Sequence, residues 1–544
     1  MRIPRAVLAL AITVFGTLLF VDGSGHIQAD DAHCGPQVCL AWERHFPDEA
    51  DLSALFVDGQ EDVYVVIPGI REAVKFNSDG TTAWTFAFPD DFGGGYAPAA
   101  LDDQGNLYIS LNSARSGCAG LDTIQVLGNL GQQGWRSCFA DGNSFTAVRV
   151  LTDSHQNVYV AARLPYSDYF LIKYNDTGKQ QWTYHDLPHE SQDYEQVDDA
   201  GIDALGNVYM TGVLNSWPLT IKVKPDGGEA WRRLSTGPGA MENGLRGIHV
   251  ASDGTWYIGG NSPSDEPPAV NDLAAIKYDS AGNESWRRKY SVPPRLTMPF
   301  GSGFGAFNVD SEGNLIMTGT TVAGAATVKY DSSGTMLWQA IDCRGGSGRG
   351  VAVDGHGGYF LVGDTGPYLH EAMAAAYGPD GVLQWKSLLP VPNGSTAHLN
   401  FAVSGASGTL YAAGTDAGSN AVLVKYQPIH RTASASPKAE SLDTPPCDEL
   451  KGDIYCDGVI DAKDALAMMM YIADGTEPGN GICPFVNAPL AARSTGTIDC
   501  IDPPRPVDTK LVIPILAYLA NVEDPFANPD CDSVGPFHWR SYYG

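Results

Sequence analysis

Eight tryptophans recur along the chain at intervals of roughly fifty residues: Trp42, Trp84, Trp135, Trp182, Trp231, Trp286, Trp338 and Trp385. Most close one phrase, as in IKYNDTGKQQW ending at Trp182, IKYDSAGNESW at Trp286 and VKYDSSGTMLW at Trp338. A second phrase alternates with it: DDQGNLYIS at 102–110, DALGNVYMTG at 203–212 and DSEGNLIMTG at 310–319. Its aligned residues are Tyr64, Tyr108, Tyr159, Tyr209, Tyr257, Ile316, Phe360 and Tyr411. A long period built from strand-like units without helical patterning means a propeller or a linear array.

Each repeat carries two hairpin signatures. In D-x-x-G-N-x-Y, as at Asp203, Gly206, Asn207 and Tyr209, the carboxylate accepts backbone N–H groups two residues on. Glycine or asparagine takes the positive-φ position that closes the turn. In K-Y-[DN]-x-x-G-x-x-x-W an Asp or Asn again precedes Gly. Both flanks alternate apolar and polar residues. One repeat therefore predicts a four-stranded blade. The last copy, at 406–427, stops without its tryptophan strand, whereas Trp42 stands before any complete copy. The two incomplete ends make one full blade if residues 38–46 supply the outer strand of the C-terminal copy. That closure predicts eight blades; seven, with Trp42 on a separate cap strand, is the alternative. Tight turns fall on one rim and loops of variable length on the other, the longest at 184–199, 233–246, 260–272 and 288–306. Function on such scaffolds resides in the variable loops.

These phrases resemble the SBBP β-propeller repeat family over roughly residues 57–427, and more loosely quinoprotein-like (PQQ-like) propellers. The first resemblance implies an exported scaffold without shared catalytic residues. The second implies a quinone enzyme only if adjacent cysteines cover the cofactor. No Cys-Cys pair occurs, and Cys34 and Cys39 do not form the C-x-x-C-H of haem attachment.

The first residues read as a signal peptide, 1–23, with Arg2 and Arg5 before the apolar run Ala6 to Val21 and candidate cleavage after Gly23 or Ala29. No later segment is long and apolar enough for a membrane span. The expected organisation is a propeller at 30–427, a Pro/Ser/Ala-rich linker at 428–446 and a small domain at 447–544. The expected destination is extracellular or the cell surface, where cysteines oxidise. The formal net charge of −29 argues against nucleic acid and anionic membrane surfaces as partners.

The small domain opens on GDIYCDGVIDAKDALAMMMYIAD. Asp453, Asp457, Asp461 and Asp464 stand at places 1, 5, 9 and 12 of an EF-hand loop, Gly458 at the sharp turn, and Val459 offers its carbonyl. Hard oxygen ligands at this spacing fit Ca²⁺. Tyr455 removes the ligand of place 3, and Asp464 replaces the usual Glu. The latter is the habit of dockerin modules, and the segment resembles a type I dockerin. That resemblance implies a cohesin-type or cell-surface scaffold partner. The second loop–helix copy, 496–520, carries an insertion with Pro503, Pro504 and Pro506 and no turn glycine, so it reads as a degenerate loop without metal.

Other features leave alternatives open. Cys118 and Cys138 flank the second blade's outer hairpin as expected partners; Cys34 and Cys39 are placed to close a small loop. The tail holds Cys447, Cys456, Cys483, Cys500 and Cys531, an odd count that leaves Cys343 as a candidate partner across domains, and sequence does not fix the connectivity. His185, Asp186, His189, Glu190, Asp193 and Glu195 read as a solvated loop before a metal or catalytic site. Arg246 and Arg349 occupy equivalent places ahead of innermost strands and are candidates for an anion site in the central funnel. No G-x-S-x-G, H-E-x-x-H or P-loop occurs. Three functions follow: a non-catalytic binding propeller docked by its tail, a polysaccharide-degrading enzyme, or a structural adhesive protein.

Overall fold

The computed structural model describes Ile27–Gln28 and residues 38–428, apart from 47–51, 90–91, 93–94, 116–117, 165–166, 187–194, 237–243, 264–270, 291–303, 322–323, 343–345, 366–370, 390–395, 406–407, 417 and 419. The signal peptide, the linker, and the dockerin-like tail with Asp453, Asp457, Val459, Asp461 and Asp464 lie outside the described residues. So do His189, Glu190 and Asp193.

Eight antiparallel sheets of consecutive strands form a ring. Blades 1 to 7 span 54–87, 99–139, 146–185, 195–234, 245–290, 304–342 and 347–389. Their first strands contact one another round the ring and are innermost. Blade 8 is assembled from both ends of the propeller. His398–Ser404, Leu410–Thr415 and Ala421–Pro428 supply three strands, and Val38–His45 is the fourth. Trp42 pairs with Lys425 and Glu43 with Val424. Ile27–Gln28 adds a short fifth strand against Glu43 and Trp42. The eight-bladed reading and the predicted closure hold, and among the described residues no strand is left over as a cap.

The hydrophobic core is divided among the gaps between blades. Val74, Val65 and Leu55 of blade 1 pack with Leu423 and Tyr411 of blade 8. Val351 and Leu361 of blade 7 pack with Ile316 of blade 6. Every neighbouring pair has such a cluster. A blade therefore buries its two faces only when both neighbours are present, which is why the ring must close.

The repeat phrases turn out to be the fasteners of these gaps. In blades 1, 3, 4, 5 and 8 the second-strand tyrosine pairs with a third-strand lysine, and that lysine with the fourth-strand tryptophan, as in Tyr209, Lys222 and Trp231. The tryptophan lies on the glycine of the next blade's outer hairpin. A Cβ on Gly80, with φ +83°, would stand 2.8 Å from Trp42. Gly131, Gly178, Gly227, Gly334 and Gly381 meet Trp84, Trp135, Trp182, Trp286 and Trp338 in the same way. The lysine ammonium lies over its tyrosine ring, 4.6 Å from the centroid for Lys222 on Tyr209, a cation–π contact. It also reaches into the next blade. Ser78 O accepts from both Trp42 Nε1, at 3.2 Å, and Lys425 Nζ, at 2.7 Å. Pro225 O accepts from Lys173 and Trp182, and Ser332 O from Lys277 and Trp286. The turn aspartate completes the row: Asp203 accepts from Leu205 N, Asn207 N and Tyr209 Oη.

Cys118 and Cys138 form the predicted disulfide across the outer strands of blade 2. Cys39 is also disulfide-bonded, to a partner outside the described residues. Among the described residues no helix is long and apolar enough to cross a membrane.

Two outcomes follow from the closure. Deleting residues 30–46 removes the outer strand of blade 8 and exposes the edge of Ala421–Pro428; aggregation or a large fall in unfolding temperature is expected, and unchanged cooperative melting would count against a structural need for closure. The second concerns His45. Its Nε2 lies 3.4 Å from Glu43 and its Nδ1 2.8 Å from Asp416 on the other side of the closure. Hydrogen bonds to Glu43 and Asp416, working against burial, raise its pKa from 6.5 to about 9. A raised folded-state pKa stabilises fully below the unfolded value, and that stability is lost as pH rises through the folded one. Melting temperature should therefore decline between about pH 6.5 and 9, and His45→Gln should flatten that part of the profile.

Candidate functional site

The two rims differ as the sequence predicts. The turns from first to second strand and from third to fourth are short and lie on one rim; the remaining connections lie on the other. A cavity of about 530 Å³ opens at the tight-turn end among blades 8, 1 and 2, walled by Leu55, Phe56, Val57, Leu101 and Val403. Two of its carboxylates are committed. Asp58 binds Tyr64 Oη and its own turn, and Asp102 binds Tyr108 Oη and Asn106. Side chains that vary from blade to blade sit at the opposite mouth.

There the innermost strand bulges in six blades. The register slips by one residue at Val148, Asp198, Arg246, Gly305, Arg349 and Asn400. A bulge leaves its residue outside the ladder and re-aims its side chain. The glycine of the Y-x-x-G phrase makes room for it. A Cβ on Gly212 would stand 1.8 Å from Gln196 O, on Gly363 1.8 Å from Ser347 O and on Gly414 1.9 Å from His398 O. The conformation of the mouth is thus written in the second strand.

Arg246 and Arg349 do occupy equivalent positions, as bulge residues of Leu245–Val250 in blade 5 and Ser347–Val353 in blade 7. The Arg246 side chain lies outside the described residues. Arg349 donates from Nε to Asp364 Oδ2 at 2.6 Å, and its side chain is 41% exposed while Asp364 is 4% exposed. Residues that sequence reasoning did not nominate join them. Arg149, next to the bulge of blade 3, points Nε at Asp199 Oδ1 across the gap to blade 4, 3.5 Å away, and is 49% exposed. Asp199 Oδ2 also accepts from Ile248 N of blade 5 at 3.1 Å, so one carboxylate ties three blades at the channel wall. Tyr96, 50% exposed, stands in the connection leading to blade 2. Burial raises its hydroxyl pKa; the Arg149 charge acts against this and the Asp199 charge with it.

At the two described ends of the acidic segment after Trp182, Asp186 and Glu195 are buried rather than solvated. Asp186 is 4% exposed and pairs with Arg232 of blade 4 at 2.9 Å. Glu195, 2% exposed, begins the innermost strand of blade 4. Together with Asp198 these carboxylates add to the burial that holds the Tyr169 hydroxyl well above its usual pKa. Tyr169 Oη donates to Leu219 O at 2.9 Å, so the group fastens blade 3 to blade 4. Among the described residues no three His, Cys, Asp or Glu side chains converge as a metal site.

No family model matches the chain, and no curated protein matches it. Solved structures do. The quinohemoprotein alcohol dehydrogenase of Pseudomonas putida HK5 is 13% identical, with a TM-score of 0.48, over 83% of this chain and 89% of that one. A europium-containing methanol dehydrogenase is 11% identical, with a TM-score of 0.42, over 72% and 93%. The virginiamycin B lyase of Staphylococcus aureus is 9% identical, with a TM-score of 0.38, over 70% and 97%. Likeness at this level concerns the fold, and no activity is carried from these proteins to this chain.

The bulge makes a measurable demand. Gly363→Ala forces a Cβ against Ser347 O, and overpacking of this kind costs about 1–3 kcal/mol. The denaturant midpoint should fall accordingly. Gly59→Ala, where no heavy atom lies within 4 Å, should leave it unchanged.

Proposed function

We propose that this chain is an exported, non-catalytic binding propeller, held by a calcium-binding, dockerin-like tail to a cohesin-type or cell-surface scaffold partner. The observation that carries the binding reading is the division of labour among polar side chains. Those that recur in the phrases are spent between and within blades: the tyrosine, the lysine, the turn aspartate and the tryptophan N–H. Those that differ from blade to blade surround the loop-side mouth. A surface that varies on a repeated frame is how such scaffolds present ligand sites. Polysaccharide is the expected class of ligand for an exported chain with this tail. Screening the full chain on a glycan array, with hydrolysis assays in parallel, separates binding from catalysis: retention without turnover is expected, and turnover would replace this reading by that of a carbohydrate-active enzyme.

The tail reading rests on Asp453, Asp457, Asp461, Asp464 and the Val459 carbonyl. Four carboxylates around one turn repel each other without metal. Ca²⁺ relieves the repulsion, so its binding energy becomes folding energy. With Tyr455 at place 3, water fills one position, and affinity of roughly 10⁻⁵–10⁻³ M is expected. Calorimetric titration of the full chain should show one site, lost in Asp464→Ala. Two comparable sites would refute the degenerate second loop, and binding indifferent to Asp464→Ala would remove the EF-hand assignment.

A further inference from the structure

We propose that the loop-side mouth of the channel takes a carboxylated oligosaccharide, with Arg149 and Arg349 gripping acidic groups on two separate sugar residues and Tyr96 lying against a sugar face beside Arg149. This rests on the binding-propeller reading and names its ligand class.

The ring sets the geometry. Arg149 belongs to blade 3 and Arg349 to blade 7, four places apart in a ring of eight, hence on opposite walls. Arg246 stands on the blade midway between them. Even at the closest strand spacing of about 4.8 Å, opposite strands of an eight-membered ring are about 12 Å apart. The tethers keep the two side chains from converging. Arg149 is drawn sideways to Asp199 on the next blade, and Arg349 back to Asp364 on its own second strand. A single carboxylate therefore cannot satisfy both, and the ligand must carry acidic groups at a separation.

Both tethers use Nε. Among the described residues neither arginine has a further partner, so the two terminal nitrogens of each are presented as a fork. That fork matches a carboxylate in bidentate fashion. The carboxylate behind each guanidinium fixes its orientation and offsets its charge, so the site selects by geometry as much as by charge. Tyr96 supplies the half-exposed aromatic surface that the apolar face of a sugar ring requires. Asn400, at the bulge of blade 8, adds an uncharged amide for hydroxyl groups.

The test is calorimetry of the full chain with hexamers of galacturonate, of mannuronate and guluronate, and of glucuronate-containing repeats, each beside its carboxyl-reduced counterpart. One acidic hexamer should bind, with its reduced form at least about tenfold weaker. A charge-assisted hydrogen-bonded contact is worth about 1.5–3 kcal/mol. Arg149→Gln and Arg349→Gln should therefore each weaken binding by about tenfold or more, and Arg349→Lys should recover only part. Disaccharides, too short to span both walls, should bind the unaltered chain more weakly than hexamers and lose no more affinity when both arginines are removed than when the one they engage is removed. Tyr96→Ala should weaken hexamer binding. Asp364 loses its cation in the Arg349 variants, so melting curves accompany each; if Arg349→Gln fails to fold, Arg149→Gln and Arg349→Lys carry the test.

Equal binding of reduced and acidic hexamers, equal binding of sulfated ones, or acidic binding unchanged in the folded arginine variants would overturn the proposal. No binding of any acidic hexamer would do the same. A neutral glycan bound at the mouth would sink this inference and leave the binding propeller standing; hydrolysis of any glycan would sink that wider reading.

Discussion

Backbone carbonyls of the outer hairpins fasten each of three blades to the one before it. Ser78 O, Pro225 O and Ser332 O each receive an indole N–H and a lysine ammonium from the preceding blade. The turn that offers the carbonyl also needs glycine two residues later, because the indole occupies the side-chain space. Lysine, tryptophan, hairpin and glycine are therefore one device, and their joint recurrence is what makes the repeat visible. Blades 2 and 7 depart from it, with Gln125 and Ala376 in place of the lysine, and blade 8 departs furthest. Blade 8 has no outer hairpin, since its third strand ends at Pro428 and its fourth begins at Val38. Trp385 has no turn glycine to rest on there and packs on Tyr426, centroids 5.5 Å apart. Strand pairing between the two ends of the propeller takes over the work that the turn does elsewhere.

Because the outer rows are fixed this way, the inner strands are free to differ. Each enters from the loop rim, and all but that of blade 8 leave through an aspartate-capped turn. Near entry, six of them carry an extra residue that the ladder does not use. Glycines on the second strands absorb the displacement. Where the bulge residue is itself glycine, the blades close up: a Cβ on Gly305 would stand 1.8 Å from Gly348 O of blade 7. Where it is Arg349, a charged side chain projects and is caught by Asp364. The same backbone defect thus serves packing on one blade and presentation on another.

This division explains what was legible in the sequence. Blade number and closure could be counted, because Trp42 precedes every complete copy and the final copy lacks its tryptophan. The Cys118–Cys138 bridge followed from the hairpin it spans. The bulges escaped, although their glycines were in plain view in GNVYMTG. A glycine within a strand has several causes, and only a neighbouring carbonyl identifies which one applies. Asp186 read as solvated because its sequence neighbours are polar; its partner Arg232 is 46 residues away. Arg149 sits in an ordinary alternating strand, TAVRVLT, and nothing local distinguishes it from a surface arginine. Its importance comes from lying opposite Arg349, which is a property of the closed ring alone.

The charge of the chain sharpens the point. At −29 it repels an acidic ligand at long range, yet screening limits that field to about 8 Å at physiological ionic strength. Within that distance the local arrangement governs. Arg149 and Arg349 each stand before a carboxylate, so neither presents a full bare charge, and a diffuse positive funnel is not what the mouth offers. It offers two oriented forks on opposite walls, each discriminating by direction. An acidic protein can hold an acidic partner on those terms, because the attraction is confined to the few positions where the ligand's own oxygens meet the donors. Such a site gains little from salt-dependent steering and much from a rigid frame, and the rigid frame is what the tryptophan and lysine rows provide.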